Sequence, residues 1–324
     1  MNQGSLVVVG TGIQTVGHIT PEALGWLKWA DKVVYLVADK IAENAILKIK
    51  PDAESLERLY EVGKPRFVTY RQMVDHLVAC VQQGMRTCAA YYGHPGIFAY
   101  PAHAAIRKLR AEGYEARMLP GISAEDCLFA DLGVDPATHG CQSYEATHFV
   151  IYRRRADPAA SLVLWQIDAF GQHAYSRQRY ETSKVPLLVD YLAQFYPLDH
   201  QVCVYEAPMF IGCAPRMDWV PLGRLGEIKL TAASTLYAPP AEKATLDVEM
   251  AKQLGLPSVD EMREILAGYT APPADAPKLE RYFRVAPQTA WYGRRRGFVS
   301  EATSGWPQRK NAACGRTRPS AEPL

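Results

Sequence analysis

The sequence predicts an α/β fold built on a mostly parallel sheet. Short apolar runs at residues 5–9, 32–37 and 87–92 are separated by stretches with helical spacing. Each run is rich in β-branched or small residues, as in strands that helices cover on both faces. Strands and helices that alternate along the chain form a parallel sheet.

Two helices are indicated in the first part of the chain. The first is predicted to begin at Thr20, because threonine is a good N-cap and Pro21 suits the first helical turn. It ends before the strand at 32–37. The second follows the strand at 87–92, where apolar residues recur with helical spacing over 102–109. The first strand, the helix from Thr20 and the strand at 32–37 give a β-α-β opening.

Shorter strands are predicted further along the chain, with a helix near 187–195 among them. The strand candidates are 116–119, 149–151, 161–165, 201–205 and 234–237. We place an N-terminal α/β domain at residues 1–130 and a C-terminal α/β domain at 131–258. Residues 259–324 are predicted to form a C-terminal extension.

Composition indicates a globular protein that does not enter a membrane. The chain has 324 residues, 48% of them hydrophobic, which is enough apolar material for two cores. No stretch approaches the roughly 20 apolar residues of a membrane span, and the first residues lack a signal-peptide pattern. The expected location is the cytoplasm.

The extension differs in composition from the rest of the chain. Residues 271–324 contain 10 of the 36 Lys and Arg residues, 4 of the 34 Asp and Glu residues, and seven prolines. This composition predicts a flexible, basic segment. No stacking motif accompanies Arg294–Arg296, so nucleic-acid binding is not predicted.

Metal chemistry is not predicted either. The seven cysteines and eight histidines are scattered, and none of them shows the spacing of a metal-ligating group.

Three glycine-containing turns follow predicted strands, at 10–12, 93–96 and 120–124. In open α/β sheets ligands collect at the carboxyl ends of the strands. Glycine allows the backbone to approach a ligand closely. Gly10-Thr11-Gly12 taken alone fits a tight turn as well as a ligand contact. The three turns together indicate a ligand site.

These turns resemble the tetrapyrrole-methylase superfamily. The matching segments are GTGI at 10–13, YGHPGIF at 92–98 and PGISAE at 120–125, and the resemblance covers roughly residues 5–240. It implies the two-domain tetrapyrrole-methylase fold of class III methyltransferases, with a cleft between the domains that binds S-adenosylmethionine. It also implies a homodimer.

Within the superfamily the chain resembles the borosin branch, the peptide backbone α-N-methyltransferases. Porphyrin methylases usually have an aspartate where this chain has His94, which argues against a porphyrin substrate. Four segments follow the branch in order: YGHPG at 92–96, the stretch from Pro120 to Gly133, Val163-Leu-Trp-Gln166 and Ser234-Thr-Leu-Tyr-Ala-Pro-Pro240. The resemblance implies the methylation of backbone amides in a ribosomally made precursor peptide.

The catalytic residues of the branch map onto Tyr60, Arg66 and Tyr70. An amide nitrogen is a poor nucleophile unless its proton leaves and the resulting imidate oxygen is stabilised. Tyrosine, with an unperturbed pKa of about 10, gives a strong base, and an arginine stays charged at any working pH. Tyr70 is the candidate base, and Arg66 and Tyr60 are candidate donors to the imidate. Without the resemblance, these three residues would be interpreted as a surface cluster or as a hydrogen-bonded group that contributes to packing.

The resemblance also implies a set of cofactor-binding residues. They are Gly10, Gly12, Tyr92, His94, Gly96, Ile97, Phe98, Ser123, Ala124, Gln166, Tyr205, Thr235 and Leu236. Two of them have an alternative interpretation. His94 fits a hydrogen-bonded loop histidine equally well, and Gln166 could simply cap an apolar run.

A separate precursor peptide is the favoured partner, in a heterotetramer of two enzyme and two precursor chains. Residues 271–324 lack the aliphatic run of a substrate core, which disfavours methylation of the chain's own C-terminal segment in cis. A porphyrin or corrin C-methyltransferase and a non-catalytic peptide-binding module remain alternatives. Nucleic acid and membrane partners are not expected.

Overall fold

A computed structural model describes residues 3–176 and 182–268. The chain divides into two compact units, residues 1–245 and residues 246–324. Among its described residues the first unit contains ten strands: β1 Ser5–Gly10, β2 Lys32–Leu36, β3 Glu54–Ser55, β4 Arg86–Tyr91, β5 Glu115–Met118, β6 Cys141–Glu145, β7 Ser161–Trp165, β8 Gln201–Glu206, β9 Arg216–Pro221 and β10 Thr235–Ala238.

Nine α-helices belong to this unit within the described residues. They are α1 Thr15–His18, α2 Pro21–Trp29, α3 Lys40–Ile49, α4 Arg66–Gln82, α5 Tyr100–Ala111, α6 Ala124–Leu132, α7 Pro136–His139, α8 Ala146–Ile151 and α9 Val185–Leu192. As predicted, the Thr20 side chain caps α2 by accepting a hydrogen bond from the Ala23 N–H at 3.1 Å. No helix among the described residues is long and apolar enough to cross a membrane.

The first sheet is entirely parallel, in the order β3-β2-β4-β1-β5. Its central strand β1 is buried on both faces because helices cover both. On one face Met73 and Leu77 of α4 pack with Leu109 of α5. On the other face Leu27 of α2 packs with Ile46 of α3. The α/β fold predicted for this part of the chain is confirmed.

The second sheet is mixed, in the order β6-β7-β10-β8-β9. Only β6 and β7 pair in parallel, and the other three pairs are antiparallel. The prediction of a mostly parallel sheet is therefore wrong for this half. Helices α8 and α9 cover one face of the sheet, and α6 contributes Leu128 to the other.

The predicted strand at residues 149–151 is also wrong, because these residues form the end of helix α8. The Glu145 carboxylate caps this helix by accepting a hydrogen bond from the His148 N–H at 2.7 Å. Phe149 is fully buried in the second core. Three apolar residues in a row are too short a pattern to separate a strand from a buried turn of helix.

The second unit contributes two described helices, α10 Val248–Gln253 and α11 Val259–Gly268. The Asp247 carboxylate caps α10 by accepting a hydrogen bond from the Met250 N–H at 2.9 Å. The domain boundaries near residues 130 and 258 stay predictions. Residues 269–324, which carry most of the predicted extension, lie outside the described part of the chain.

Candidate active site

Three loops at the carboxyl ends of the first sheet meet through their backbones. The Thr11 N–H donates to the Tyr91 carbonyl at 2.8 Å, and the Gly12 N–H donates to the Gly93 carbonyl at 3.2 Å. A Cβ added to Gly10 would lie 2.3 Å from the Gly93 oxygen and 3.0 Å from the Cα of Gly121. Only glycine fits at position 10, because any side chain there would overlap backbone. We call this contact the glycine junction.

Replacement of Gly10 by alanine is expected to destabilise the protein by about 3 kcal/mol or more, because overpacking against rigid backbone forces the loops apart. Chemical denaturation would measure this loss. Gly25→Ala is the matched control, since Gly25 lies inside α2 with nothing within 4 Å of an added Cβ. An equal effect of the two substitutions would contradict the close approach seen at Gly10.

A cavity of about 480 Å³ opens beside the glycine junction and is walled by loops of both sheets. Ten of the predicted site residues line it: Tyr60, Tyr70, Tyr92, His94, Ile97, Phe98, Ser123, Ala124, Gln166 and Thr235. The structure therefore brings together residues that are far apart in the sequence. Their roles in binding and catalysis stay predictions.

Six predicted site residues do not line the cavity. Gly10 and Gly12 support it from the glycine junction, and Arg66 lies at its edge. A Cβ added to Gly96 would meet the side chains of Met118, His103 and His94. Tyr205 is buried, and its hydroxyl donates to the Asp131 carboxylate at 2.7 Å. Leu236 is fully buried within β10. Tyr205 and Leu236 are thus placed behind the cavity wall, where they support it.

The predicted trio sits at one side of the cavity. Arg66 is the first residue of α4 and Tyr70 follows one turn later, as the sequence predicted. Tyr60 directly follows the short 3₁₀ helix Leu56–Leu59, and its hydroxyl lies beside that of Tyr70. The Arg66 guanidinium donates to the Gln172 carbonyl at 2.6 Å and reaches the Gln166 amide oxygen at 3.5 Å. The two hydroxyls and the guanidinium therefore share one neighbourhood.

Burial sets the protonation of Tyr60. It raises the pKa of this phenol well above the usual range, and the neighbouring Tyr70 raises it further, while Arg66 acts in the opposite direction. Burial likewise raises the pKa of Tyr92 to about 12. Both phenols keep their protons at neutral pH. Tyr60 can therefore donate a hydrogen bond to an acceptor in the cavity.

A short backbone pairing holds the trio against the second half of the chain. The Gly63 N–H donates to the Tyr175 carbonyl, the Tyr175 N–H to the Lys64 carbonyl and the Arg66 N–H to the His173 carbonyl, each at 3.0 Å. The pairing places the ring of Tyr175 against that of Tyr60, with centroids 4.6 Å apart. Tyr175 also lines the cavity. Sequence analysis missed it, because no local pattern marks its position.

Two residues in left-handed backbone conformations shape the opposite wall. Phe98 has a φ of 52° and Gln166 a φ of 58°, a region that residues other than glycine seldom adopt. The ring of Phe98 packs on Trp165 at 5.5 Å, and the Trp165 indole N–H donates to Ser143 Oγ at 2.8 Å. Strained backbone of this kind is concentrated at functional sites.

His94 has a structural contact within its own loop. Its Nδ1 accepts a hydrogen bond from the Gly96 N–H at 3.0 Å, and His103 Nε2 contacts the Gly96 carbonyl at 2.8 Å. This contact fits the interpretation of His94 as a loop histidine. Since His94 also lines the cavity, contact with a ligand remains a prediction.

Glu206 organises a further wall, the turn at residues 231–234. Its Oε1 accepts hydrogen bonds from Thr231 Oγ1 at 2.8 Å, from Ser234 Oγ at 2.6 Å and from the Arg216 guanidinium at 2.6 Å. The Thr231 N–H in turn donates to Ser234 Oγ at 2.8 Å. The turn presents the residues from Ala232 to Thr235 to the cavity. Sequence analysis found Thr235 but neither Glu206 nor the turn.

Asp168 is a buried carboxyl group just beyond Gln166. Burial raises its pKa to about 6, although hydrogen bonds from the backbone N–H groups of Ala169 and Asp168 and the charge of Arg66 oppose this shift. Folded protein therefore holds this proton more tightly than unfolded chain does. The stability that Asp168 contributes is complete below its unfolded pKa and is lost as the pH rises through about 6.

Asp168→Asn should remove a pH dependence of about 3 kcal/mol between pH 4 and pH 7. The free energy of unfolding of the variant, relative to the parent, should therefore increase as the pH rises across this range. Urea denaturation at several pH values would measure it. A stability difference that does not change with pH would show that the carboxyl is not held protonated.

No group of three or more potential metal ligands from His, Cys, Asp and Glu occurs within residues 3–176 and 182–268.

Comparison with known families gives a match to the family model described as Tetrapyrrole (Corrin/Porphyrin) Methylases, over residues 5–209. The matched region contains the three glycine turns and all three residues of the trio.

Curated relatives match a larger part of the chain. A protein of Dendrothele bispora named as a methyltransferase and ribosomally synthesized cyclic peptide dendrothelin A precursor is 40% identical over 78% of this chain. A methyltransferase and type I borosin cyclic peptide precursor of Serendipita vermifera subsp. bescii is 38% identical over 85% of this chain. The chain spans 61% of the first relative's length and 70% of the second's.

Solved structures share the fold. The uroporphyrin-III-C-methyltransferase of Thermus thermophilus superposes with a TM-score of 0.53 at 18% identity, over 79% of this chain and 98% of its own. A diphthine synthase superposes with a TM-score of 0.54 at 15% identity, over 80% of this chain and 99% of its own. At this level of identity the likeness establishes the fold alone, and it confirms the predicted α/β fold.

Proposed function

The chain belongs to the tetrapyrrole (corrin/porphyrin) methylase family and resembles its borosin members, and we propose that it methylates backbone amide nitrogens of a precursor peptide. S-adenosylmethionine is the proposed methyl donor. The observation that supports this most is the position of Tyr60, Arg66 and Tyr70 beside one cavity. A hydroxyl pair and a guanidinium are the groups that amide N-methylation needs.

The cavity suits an adenosyl sulfonium compound. Its volume falls within the ~300–1,000 Å³ typical of small-ligand sites. The walls are largely apolar and aromatic, and ring faces attract a sulfonium cation as they attract other cations. Tyr92, His94, Phe98, Ser123, Ala124, Gln166 and Thr235 are the residues that would hold it. The sulfonium supplies an electrophilic methyl group when bound.

Tyr70 acts as the base in the proposed reaction. Its deprotonated oxygen removes the proton from the peptide N–H, and the negative charge moves onto the amide oxygen. Arg66 and the protonated Tyr60 donate hydrogen bonds to that oxygen. The nitrogen would then accept the electrophilic methyl group that bound S-adenosylmethionine supplies, and the sulfur would keep the electron pair of the broken bond. The walls hold the reacting atoms in line and exclude water.

A separate peptide is proposed as the acceptor, bound to a homodimer in a complex with two peptide chains. The support is compositional, since residues 271–324 contain no run of aliphatic residues that resembles a substrate core. Size-exclusion chromatography with light scattering, with and without peptide, would measure the stoichiometry.

The test of function is an intact-mass assay with the purified chain, S-adenosylmethionine and a candidate precursor peptide. Each methyl transfer adds one CH₂ to the acceptor, and fragmentation locates it. Increments on backbone nitrogens of the peptide are expected. Increments on the chain itself would show action in cis. Methylation of a porphyrin instead, or no methylation with tight peptide binding, would overturn the proposal.

Loss of the Glu206 carboxylate should weaken S-adenosylmethionine binding, because the turn at 231–234 would lose three hydrogen bonds to one charged group. We expect Glu206→Ala to raise Kd about tenfold, measured by titration calorimetry. Glu206→Gln keeps Oε1 as an acceptor and should recover part of the affinity. Glu227→Ala, at an exposed ion pair with Arg224, is the control. Unchanged affinity in Glu206→Ala would show that this turn does not touch the donor.

A further inference from the structure

A second cavity, of about 660 Å³, lies between the end of α8 and α9. Its lining consists of Val150, Arg153, Arg155, Tyr191, Gln194 and Phe195. We call it the arginine cavity. It shares no lining residue with the cavity that contains the catalytic trio, so methyl transfer does not account for it.

Backbone hydrogen bonds hold the turn that carries the two lining arginines. The Arg153 N–H donates to the Val150 carbonyl at 3.1 Å, and the Arg154 N–H donates to the Phe149 carbonyl at 2.9 Å. The Tyr191 hydroxyl donates to the Arg154 carbonyl at 3.0 Å. Arg153 has a φ of 51°, in a position after a helix that glycine usually occupies. The turn is therefore pinned to α9, with Arg153 and Arg155 on either side of the pinned residue.

The guanidinium groups of Arg153, Arg154 and Arg155 have no ion pair or side-chain hydrogen bond within the described residues. None of the residues that line the cavity is acidic. In contrast, the described Arg86 and Arg216 each bind a carboxylate at 2.6 Å. Each guanidinium offers five N–H donors in a planar fork that matches a carboxylate. The cavity thus has cationic donors without an acidic partner among the described residues.

The floor and rim of the cavity are apolar. Tyr191 meets Phe195 edge-on at 5.9 Å and Phe149 edge-on at 5.6 Å, so these rings are packed into the core. They form an apolar floor and are not arranged as a stack for nucleobases. Ile151, which follows the lining residue Val150 at the end of α8, is 61% exposed, and Leu187, one helical turn before the lining residue Tyr191 in α9, is 60% exposed. A ligand that fits this surface combines negative charge with aliphatic groups.

We propose that the arginine cavity binds a polypeptide segment that carries both carboxylate and apolar side chains. The carboxylates pair with Arg153 and Arg155, and the apolar side chains cover Ile151 and Leu187. Charge complementarity selects this partner, because the residues that line the cavity supply two guanidinium groups and include no carboxylate. The site is independent of the methyl donor and of the proposed reaction.

The test uses the full chain and a fluorescein-labelled peptide of alternating Glu and Leu, with fluorescence anisotropy as the readout. The same peptide with Gln in place of Glu is the neutral probe. The cavity variant is Arg153→Gly together with Arg155→Gln, since glycine suits the left-handed position and leaves the turn intact. The control, Arg107→Gln together with Arg224→Gln, removes the same charge at exposed positions elsewhere. Thermal unfolding checks that each variant is folded.

We expect saturable binding of the Glu peptide, about tenfold or more weaker binding by the cavity variant, and little change in the control. An equal loss of affinity in the cavity variant and the control would show that net charge alone explains binding, and it would overturn the proposed site. Equal binding of the Gln peptide would overturn the role of carboxylates. A single-stranded oligonucleotide that binds more tightly than the peptide, and depends on the same arginines, would overturn the assignment to a polypeptide. Because no methyl is transferred in this assay, its failure would leave the proposed function untouched.

Discussion

Replacement of Tyr70 by phenylalanine is expected to lower kcat for peptide methylation by about 10²- to 10⁴-fold, the range associated with loss of a general base. The substitution removes one oxygen atom and keeps the ring, which packs near Tyr100 with centroids 6.4 Å apart. Affinity for S-adenosylmethionine should change little, since the base acts on the peptide nitrogen. Single-turnover mass spectrometry would measure the rate, and calorimetry the affinity.

Tyr100→Phe is the matched control, because Tyr100 is exposed and is the aromatic neighbour of Tyr70. It should retain nearly full activity. If Tyr70→Phe kept the parent's rate, another group would have to remove the amide proton. A loss of cofactor affinity equal to the loss of rate would instead assign Tyr70 to binding.

Replacement of Arg66 by glutamine should lower kcat by about 10²- to 10³-fold, comparable to the loss of one oxyanion-hole donor. The guanidinium is the cationic group of the trio, and it also donates to the Gln172 carbonyl at 2.6 Å. Arg66→Lys keeps the charge but loses the planar fork. An intermediate rate is therefore expected for the lysine variant if both the charge and its geometry matter.

Arg71→Lys and Arg71→Gln are the controls for this series, since Arg71 is exposed in the same helix and does not line the cavity. Both should remain close to the parent in rate. The melting temperature of each Arg66 variant would show whether the substitution acts on catalysis or on the stability of the 172–175 segment, to which the guanidinium donates. A glutamine variant with normal kcat and a raised KM would show that Arg66 only binds substrate.

The first sheet was predictable because its strands are buried on both faces and its loops carry glycine at the strand ends. Gly10, Gly93 and Gly121 are close in space because parallel strands place their carboxyl ends at one edge. The second sheet was less predictable. Antiparallel pairing of β10 with β7 and β8 depends on contacts between segments that are distant in the sequence. The apolar run at 149–151 is too short to distinguish a strand from a helix.

For the site, the resemblance identified Tyr60, Arg66 and Tyr70, and the structure places them together. The residues that sequence reasoning missed act through long-range contacts. Tyr175 reaches Tyr60 through a backbone pairing with residues 63–66. Glu206 is separated by 25 residues from Thr231, to which it is hydrogen-bonded. A charged residue at the end of a strand was a usable signal for Glu206, but nothing in the sequence marks its partners.

The glycine junction bears on how proteins of this architecture can diverge. Its contacts are between backbones alone, and a Cβ at Gly121 would lie 2.9 Å from the Cα of Gly10. Point mutation therefore has almost no freedom on this side of the cavity. New acceptor preferences would have to evolve on the facing side, where Tyr175 and Phe98 contribute replaceable side chains. The wall at the glycine junction is fixed by the fold, whereas the side chains of the facing wall can be changed by natural selection.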